Sequence, residues 1–483
     1  MKMKTMDKLR LDSEKYEIKT AEFGGRAVTY RAFEDIPYCT APKDPIQKLS
    51  IFAPEAYYHE ENINGYNAET APILMPNSVG GYMEGGSEVP GEKMFAGHGS
   101  GRANILFEAL IHGYVVVSAG IRGRNSKCGG RAPALIVDMK AAIRYIRHNR
   151  DLIPGDTEKI FTDGTSAGGA LSSLAGATGN SPDYEPYLNE IGAANERDDI
   201  FGAICFCPIT NLEHADMAYE WMFASEREYT RGKMTHTPEG VKREIVHGKM
   251  SDEQMKISED LAALFPEYVN SLHLKDKNGN VLTLDGEGDG TFADYVGGLV
   301  FDSAEAELKD HRSSQYIAYE MTDGSEVEAQ EFLDIRDGRL ICLDWDGYVH
   351  SITRMKTAPA FDSLDMDTPE NDEFGTEEEK RHFTEYASSH SKVGGSMADP
   401  QIIKMLNPMN YIGAADTAPF WRIRHGAYDR DTSLAISAIL ALALENKGYN
   451  VDLKYPWGLP HCGDYDMEDI FAWIDKVAGV SEN

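Results

Sequence analysis

The stretch Lys159 to Gly179, KIFTDGTSAGGALSSLAGATG, constrains the fold more than any other part of the chain. An apolar pair, Ile160 and Phe161, leads into Gly164-Thr165-Ser166-Ala167-Gly168-Gly169, and a helix pattern of small residues follows. This is the pattern of a nucleophile elbow, a serine held at the tip of a tight turn between a strand and a helix. Such a turn has no room for large side chains two positions either side of the serine, and Gly164 and Gly168 stand there. Ala167, Gly168 and Gly169 let the new helix approach the sheet closely. GxSxG alone recurs by chance in long chains. Its place between a strand pattern and a helix pattern favours Ser166 as a nucleophile over a plain glycine turn.

The surrounding chain supplies a sheet for that elbow. Tyr16 to Phe33 reads as a hairpin turning at Gly24-Gly25, Gln47 to Phe52 as a strand, and Ala71 to Met75 as a short buried strand running into PNSVGGY. A helix over Arg102 to Ile111 precedes Tyr114 to Ser118, and a helix over Ala134 to His148 precedes the elbow. Ile200 to Cys207 is another continuous apolar strand, of the kind buried on both faces. Strands alternating with helices predict a mostly parallel sheet flanked by helices.

The alternation stops after Pro208 and resumes at Pro419, with a helix over Ser433 to Lys447, a last strand over Val451 to Tyr455 and a closing helix over Glu468 to Val477. The interval is too long for a loop. It predicts a lid inserted after the sixth core strand: core at 1–210 and 400–483, lid at 211–399. Within the lid a hairpin is expected over Leu272 to Leu284, around Asn278-Gly279, and a helix from Thr376 through EEEKRHF. Asp285 to Gly290 imitates the start of a calcium loop, but position twelve is Val296 rather than Glu, so it reads as a turn.

Charge excludes whole classes of partner. With 79 acidic against 47 basic residues the formal net charge is −32, which repels nucleic acid and anionic membranes alike. No run of about 18 apolar residues suggests a membrane span, and the first residues lack the apolar centre of a signal peptide. The six cysteines are sparse and without paired metal-ligand spacing, and Cys205 and Cys207 read as buried thiols. Together these features predict a reduced, cytoplasmic protein. No cofactor or metal is implied, and oligomeric state is not legible.

A serine nucleophile needs a base, and the base needs an acceptor to fix its tautomer. Asp429, in His425-Gly-Ala-Tyr-Asp429, and His461, in Trp457-Gly-Leu-Pro-His461, follow late strands in the order nucleophile, acid, histidine. Asp431 competes for the acid role, with a helix N-cap as its alternative.

With these motifs in view the chain resembles the bacterial tannases, serine esterases that cleave galloyl esters. The resemblance rests on Pro76 to Tyr82, Gly164 to Gly169, His425 to Thr432, Lys356 with Pro369-Glu370-Asn371, and His461; residues 225–340 carry no matching motif. It implies an α/β-hydrolase fold with a large lid and a triad of Ser166, Asp429 and His461. The oxyanion hole then falls on the amides of Gly80 and Ala167. The galloyl hydroxyls fall to Lys356, Glu370 and Asp431, with Ile209 and Pro369 flanking the ring, so the implied partner is a small phenolic ester. Fungal tannases and feruloyl esterases bracket their triads with a disulfide; Thr165 before the serine excludes that bridge here, although Cys462 follows His461. The rival readings are a feruloyl or general carboxylesterase, a prolyl-oligopeptidase-like peptidase sharing HGxxD, and an inactive hydrolase fold used for binding.

Overall fold

The apolar runs pair into one nine-stranded sheet in a computed structural model, which describes residues 7–92, 102–237, 240–311, 319–320, 326–327 and 331–479. The strands are β1 (Glu17–Phe23), β2 (Arg26–Pro37), β3 (Lys48–Pro54), β4 (Ile73–Pro76), β5 (Val115–Ala119), β6 (Ile160–Thr165), β7 (Gly202–Phe206), β8 (Phe420–Arg424) and β9 (Asn450–Lys454). Their order is β1-β2-β3-β5-β4-β6-β7-β8-β9, antiparallel from β1 to β5 and parallel from β5 to β9. Every residue of β5 and β7 is buried, as their unbroken apolar composition requires. Five helices flank the sheet: α1 (Ile105–His112), α2 (Ala134–His148), α3 (Ala167–Ala177), α7 (Leu434–Asn446) and α8 (Met467–Ala478). This is the predicted α/β-hydrolase architecture. β1 is an extra edge strand, so the interruption after β7 follows the sixth strand of the remaining eight.

Among the described residues the interrupting segment contributes no strand to the sheet. It begins with α4 (Leu212–Phe223) and continues through the hairpin Glu228–Thr237/Gly240–Lys249, helix α5 (Thr291–His311) and the short helix α6 (Pro369–Glu373). The apolar cluster around the sheet runs into it without a break, through Phe265, Val296 and Tyr348. Polar bonds join it to the loop after β8. The Tyr219 hydroxyl donates to Arg430 O (3.0 Å), Arg430 donates to Ile352 O (3.1 Å) and Tyr348 donates to Ala427 O.

One local expectation holds in reduced form and another fails. Between Leu272 and Leu284 the chain doubles back around Asn278-Gly279 as expected, paired antiparallel at Lys275 and Val281, with Leu282 N donating to Leu274 O (2.8 Å) and Asp276 N to Asn280 O (3.0 Å). The Asp276 carboxylate takes the amides of Asn278 and Asn280 (2.9 and 2.8 Å) and closes the turn. The helix expected from Thr376 is absent: Thr376 N donates to Glu379 O in a turn, and the next helix is Glu385–Ser389. Here Asp362 overrides propensity. Its buried carboxylate accepts from Phe383 N (2.8 Å), Thr384 N (2.7 Å), Asn371 Nδ2 (2.7 Å) and the buried His382 (2.7 Å), holding 381–384 extended. The Asp285 turn is as expected, its carboxylate accepting from Glu287 and Asp289 amides.

Asp362 thereby anchors α6, whose second residue is Glu370. Removing a buried charge that holds this many donors costs about 3–5 kcal/mol. Asp362→Ala should lower the urea midpoint accordingly; an unchanged midpoint would show that these bonds contribute little.

Candidate active site

At the elbow, Ser166 adopts φ 64° and ψ −124°, a conformation that costs energy in any residue with a side chain. Three backbone bonds hold it: its N–H donates to Phe206 O (3.0 Å), and its O accepts from Ile209 N (3.2 Å) and Ala170 N (2.9 Å). The glycines are forced by close approach. A Cβ on Gly164 would lie 2.3 Å from Gly168 O, and one on Gly168 would lie 2.6 Å from Asn77 Oδ1. Ser166 thus stands at the N-terminus of α3, where Ala167 is the first helical residue and its N–H has no partner one turn back.

Asn77, in the stretch after β4, ties that stretch to the elbow. Its Nδ2 donates to Asp163 O (2.8 Å) and Gly168 O (3.1 Å), and its Oδ1 accepts from Val79 N (3.3 Å). Gly81 lines the same cavity as Ser166, and a Cβ on Gly80 would meet nothing within 4 Å. The sequence reading missed Asn77, although it lies within PNSVGGY.

The two late loops bring Asp429 and His461 together. His461 Nδ1 lies 2.7 Å from Asp429 Oδ2, and Asp429 is wholly buried while His461 is 25% exposed. Asp431 lies 3.8 Å from the opposite nitrogen, Nε2, so the two aspartates face different edges of one imidazole. Nor is Asp431 the helix cap; Ser433 accepts from Ala435 N instead. Burial would raise the Asp429 carboxyl, but His461 and His425 beside it hold it well below the ordinary range. Burial would lower His461, and Asp429, with Cys207 and Asp431, drives it well above the ordinary histidine value instead. His461 Nε2 is buried without a hydrogen-bond partner among the described residues, an orphan aimed at the site.

One cavity of about 600 Å³ is lined by Ser166, His461, Gly81, Ile209, Lys356, Pro369, Glu370 and Asp431, among others. Lys356 Nζ lies 3.4 Å from Asp431 Oδ2 and 3.9 Å from the centre of the Phe361 ring. Burial would lower this ammonium, but Asp431 and Glu370 hold it above its usual value. Burial raises the Glu370 carboxyl, and Lys356 only partly offsets that. The backbone beneath is fixed from α4: Tyr219 Oη accepts from Met355 N and Lys356 N (3.0 Å each), and the buried Glu220 pairs with Arg354 (2.7 Å). Arg354 in turn donates to Lys356 O (2.7 Å). Ile209 accepts the Tyr82 hydroxyl at its carbonyl (2.5 Å). One trio of metal-ligating types lies within 4.8 Å among the described residues, Cys207, Asp429 and His461, of which the last two already engage each other.

Such a site can place a strained, partly exposed serine, an imidazole polarised by a buried carboxylate, and a polar cluster around one small molecule. Comparison with known proteins agrees with that chemistry. The family model described as BD-FAE matches residues 82–243. Esterase LipC of Mycobacterium tuberculosis is 34% identical over 132 residues, 27% of this chain and 29% of that protein, so the chain spans under a third of this relative. Solved structures match over nearly the full length. Tannase from Lactobacillus plantarum has a TM-score of 0.90 at 43% identity, covering 97% of this chain and 100% of the other. Fusobacterium nucleatum tannase has a TM-score of 0.89 at 43% identity, covering 97% and 99%. A tannin acyl hydrolase solved in complex with ethyl gallate matches with a TM-score of 0.88 at 42% identity, covering 97% and 99%. The chain belongs to the bacterial tannases, ester hydrolases of the α/β-hydrolase fold.

Proposed function

We propose that the protein cleaves galloyl esters to gallate and an alcohol, with Ser166 as nucleophile, His461 as base and Asp429 as the acid that orients it. The observation that carries this reading is the convergence of Lys356, Glu370 and Asp431 on the cavity that Ser166 and His461 also line. Three vicinal phenolic hydroxyls are donors; two carboxylates accept from them, and the lysine donates to their oxygens. Ile209 and Pro369 supply apolar contact for the ring. A soluble phenolic ester is also the partner that suits so acidic a chain, in which no described helix is long and apolar enough to cross a membrane.

In this mechanism Ser166 Oγ attacks the ester carbonyl as His461 Nε2 takes its proton. The amides of Gly80 and Ala167 hold the oxyanion, a contact that strengthens as charge develops. His461 then returns the proton to the leaving alcohol. Water, deprotonated by the same imidazole, attacks the acyl-enzyme and releases gallate. Residues 211–399 serve as a lid that brings Lys356 and Glu370 to a core formed by 1–210 and 400–483, which itself carries Asp431. All six cysteines are free, which supports work in a reducing, cytoplasmic setting.

A fluorophosphonate should label Ser166, and Ser166→Ala should abolish labelling and lower kcat on the order of 10⁴-fold or more. Persistent labelling would move the nucleophile elsewhere. Asp429→Asn should lower kcat on every ester, nitrophenyl acetate included, by up to about 10⁴-fold. The base works only when neutral, and Asp429 holds its pKa up. The acid limb of the wild-type kcat/KM profile should therefore lie above the ordinary histidine value, and Asp429→Asn should move it to lower pH. Asp431→Asn should damage gallate esters and spare nitrophenyl acetate; the reverse pattern would exchange the two roles.

Specificity is tested by kcat/KM across methyl gallate, protocatechuate, ferulate and benzoate. A buried pocket built for hydroxyls can reject a ligand lacking them by roughly 10⁴-fold. Gallate should lead, protocatechuate fall between, and ferulate and benzoate be poor; Glu370→Ala should narrow the gallate-to-benzoate ratio by slowing gallate. Equal rates on gallate and benzoate would leave a generic carboxylesterase.

A further inference from the structure

Asp429 has a second imidazole beside it. His425, the first residue after β8, is wholly buried, and its Nε2 lies 3.2 Å from Asp429 Oδ2, the oxygen that also meets His461 at 2.7 Å. Its Nδ1 lies 2.8 Å from Ser437 Oγ on α7. Ser437 is in turn 3.4 Å from the Tyr455 hydroxyl, which donates to Leu434 O at 2.6 Å. The arrangement runs outward from the carboxylate as imidazole, serine and tyrosine, opposite to His461.

This placement has a physical consequence. His425 Nε2 is buried and in good alignment with no acceptor among the described residues, so the carboxylate at 3.2 Å is the group it faces. A buried charge is costly unless its oxygens meet donors. The other oxygen, Oδ1, accepts from Asp431 N at 2.8 Å. Two contacts, one on each oxygen, then fix the plane of the carboxylate and leave Oδ2 directed at His461 Nδ1. The Cys207 thiol and the Tyr348 phenol also lie near Asp429, and His461 also faces Cys207 and Asp431.

We propose that His425 is a positioning residue for ester hydrolysis: seated on Ser437, it holds the Asp429 carboxylate in the plane that orients His461. It touches neither substrate nor Ser166 in this role and acts through Asp429 alone. The inference rests on Ser166, His461 and Asp429 being the triad.

The test measures kcat, KM and the pH profile on methyl gallate for His425→Leu, His425→Gln and Ser437→Ala, with folding checked by circular dichroism. His425→Leu should lower kcat about 10- to 100-fold, the range for losing a group that orients a functional ligand. KM should stay within about twofold, because binding of the ground state is untouched. The acid limb should move to higher pH, since a carboxylate short of one donor holds the imidazolium more strongly. His425→Gln keeps an N–H for Asp429 and should recover most of the loss. Ser437→Ala, a deletion of one oxygen, should move kcat and the limb in the same directions by less, and it decides the matter if His425→Leu does not fold. A folded His425→Leu with wild-type kcat and an unmoved limb would overturn the proposal. So would a glutamine no better than leucine, a loss confined to KM, or an inert Ser437→Ala where leucine fails to fold. Fluorophosphonate labelling of wild-type Ser166 separates the two failures. Without labelling the triad reading falls; with labelling and insensitive His425 variants, only this inference does.

Discussion

A carboxylate wholly removed from water is the interaction on which the rest of this site depends. Asp429 is held there by close polar neighbours: His461 at 2.7 Å and His425 at 3.2 Å from one oxygen, and the Asp431 amide on the other. Each neighbour comes from a different part of the chain or a different turn of the same loop, so the charge ties β8, α7 and the loop after β9 into one geometry. Leaving such a group unpaired is far more costly than any one of these contacts is favourable. The same asymmetry explains why the surroundings are so crowded. A Cβ on Gly426 would lie 2.1 Å from Leu459 O, so the two loops bearing Asp429 and His461 run almost in backbone contact.

The inserted segment repeats the device beneath Lys356 and Glu370. Helix α4 places three polar side chains on the buried side: Asp216 takes the amides of Phe361 and Asp362, Tyr219 those of Met355 and Lys356, and Glu220 the Arg354 guanidinium. Burial, with Asp362 close by, pushes the Asp216 carboxyl up to about 7. Lys356 and Glu370 are thus carried by backbone held from below, which is how an irregular stretch can present a preorganised pocket. Side chains held by their supports lose less entropy when substrate binds. The loop after β8 bonds to this segment at Ala427 and Arg430, so Asp429 and the pair Lys356 and Glu370 share a mount.

Much of the core was legible because its signals are local. Gly164, Ser166 and Gly168 mark the elbow by size alone, and β5 and β7 announce their burial by composition. The one failure is equally physical. In 376–383 a strongly helical composition lost to Asp362, which lies 21 positions before Phe383 and whose buried carboxylate takes the amides of Phe383 and Thr384. Between Leu272 and Leu284 the expected turn forms, and the Asp276 side chain closes it after a single bridge. Asn77 and His425 lie inside motifs that were read, yet their roles depend on partners, Gly168 and Ser437, that no spacing rule pairs with them.

The sequence by itself determined the alternating strands and helices, the elbow, and an insertion too long to be a loop, and it singled out Ser166, Asp429 and His461 in that order. These follow from period, residue size and length, which are properties of neighbouring residues. Only the tertiary structure decided which aspartate meets Nδ1 of His461, that Lys356 and Asp431 lie 3.4 Å apart, and that a second histidine shares Asp429. Those are contacts between segments distant in the chain. Their geometry is set by how the sheet, α4 and α7 pack, and by the requirement that each buried charge finds its partners.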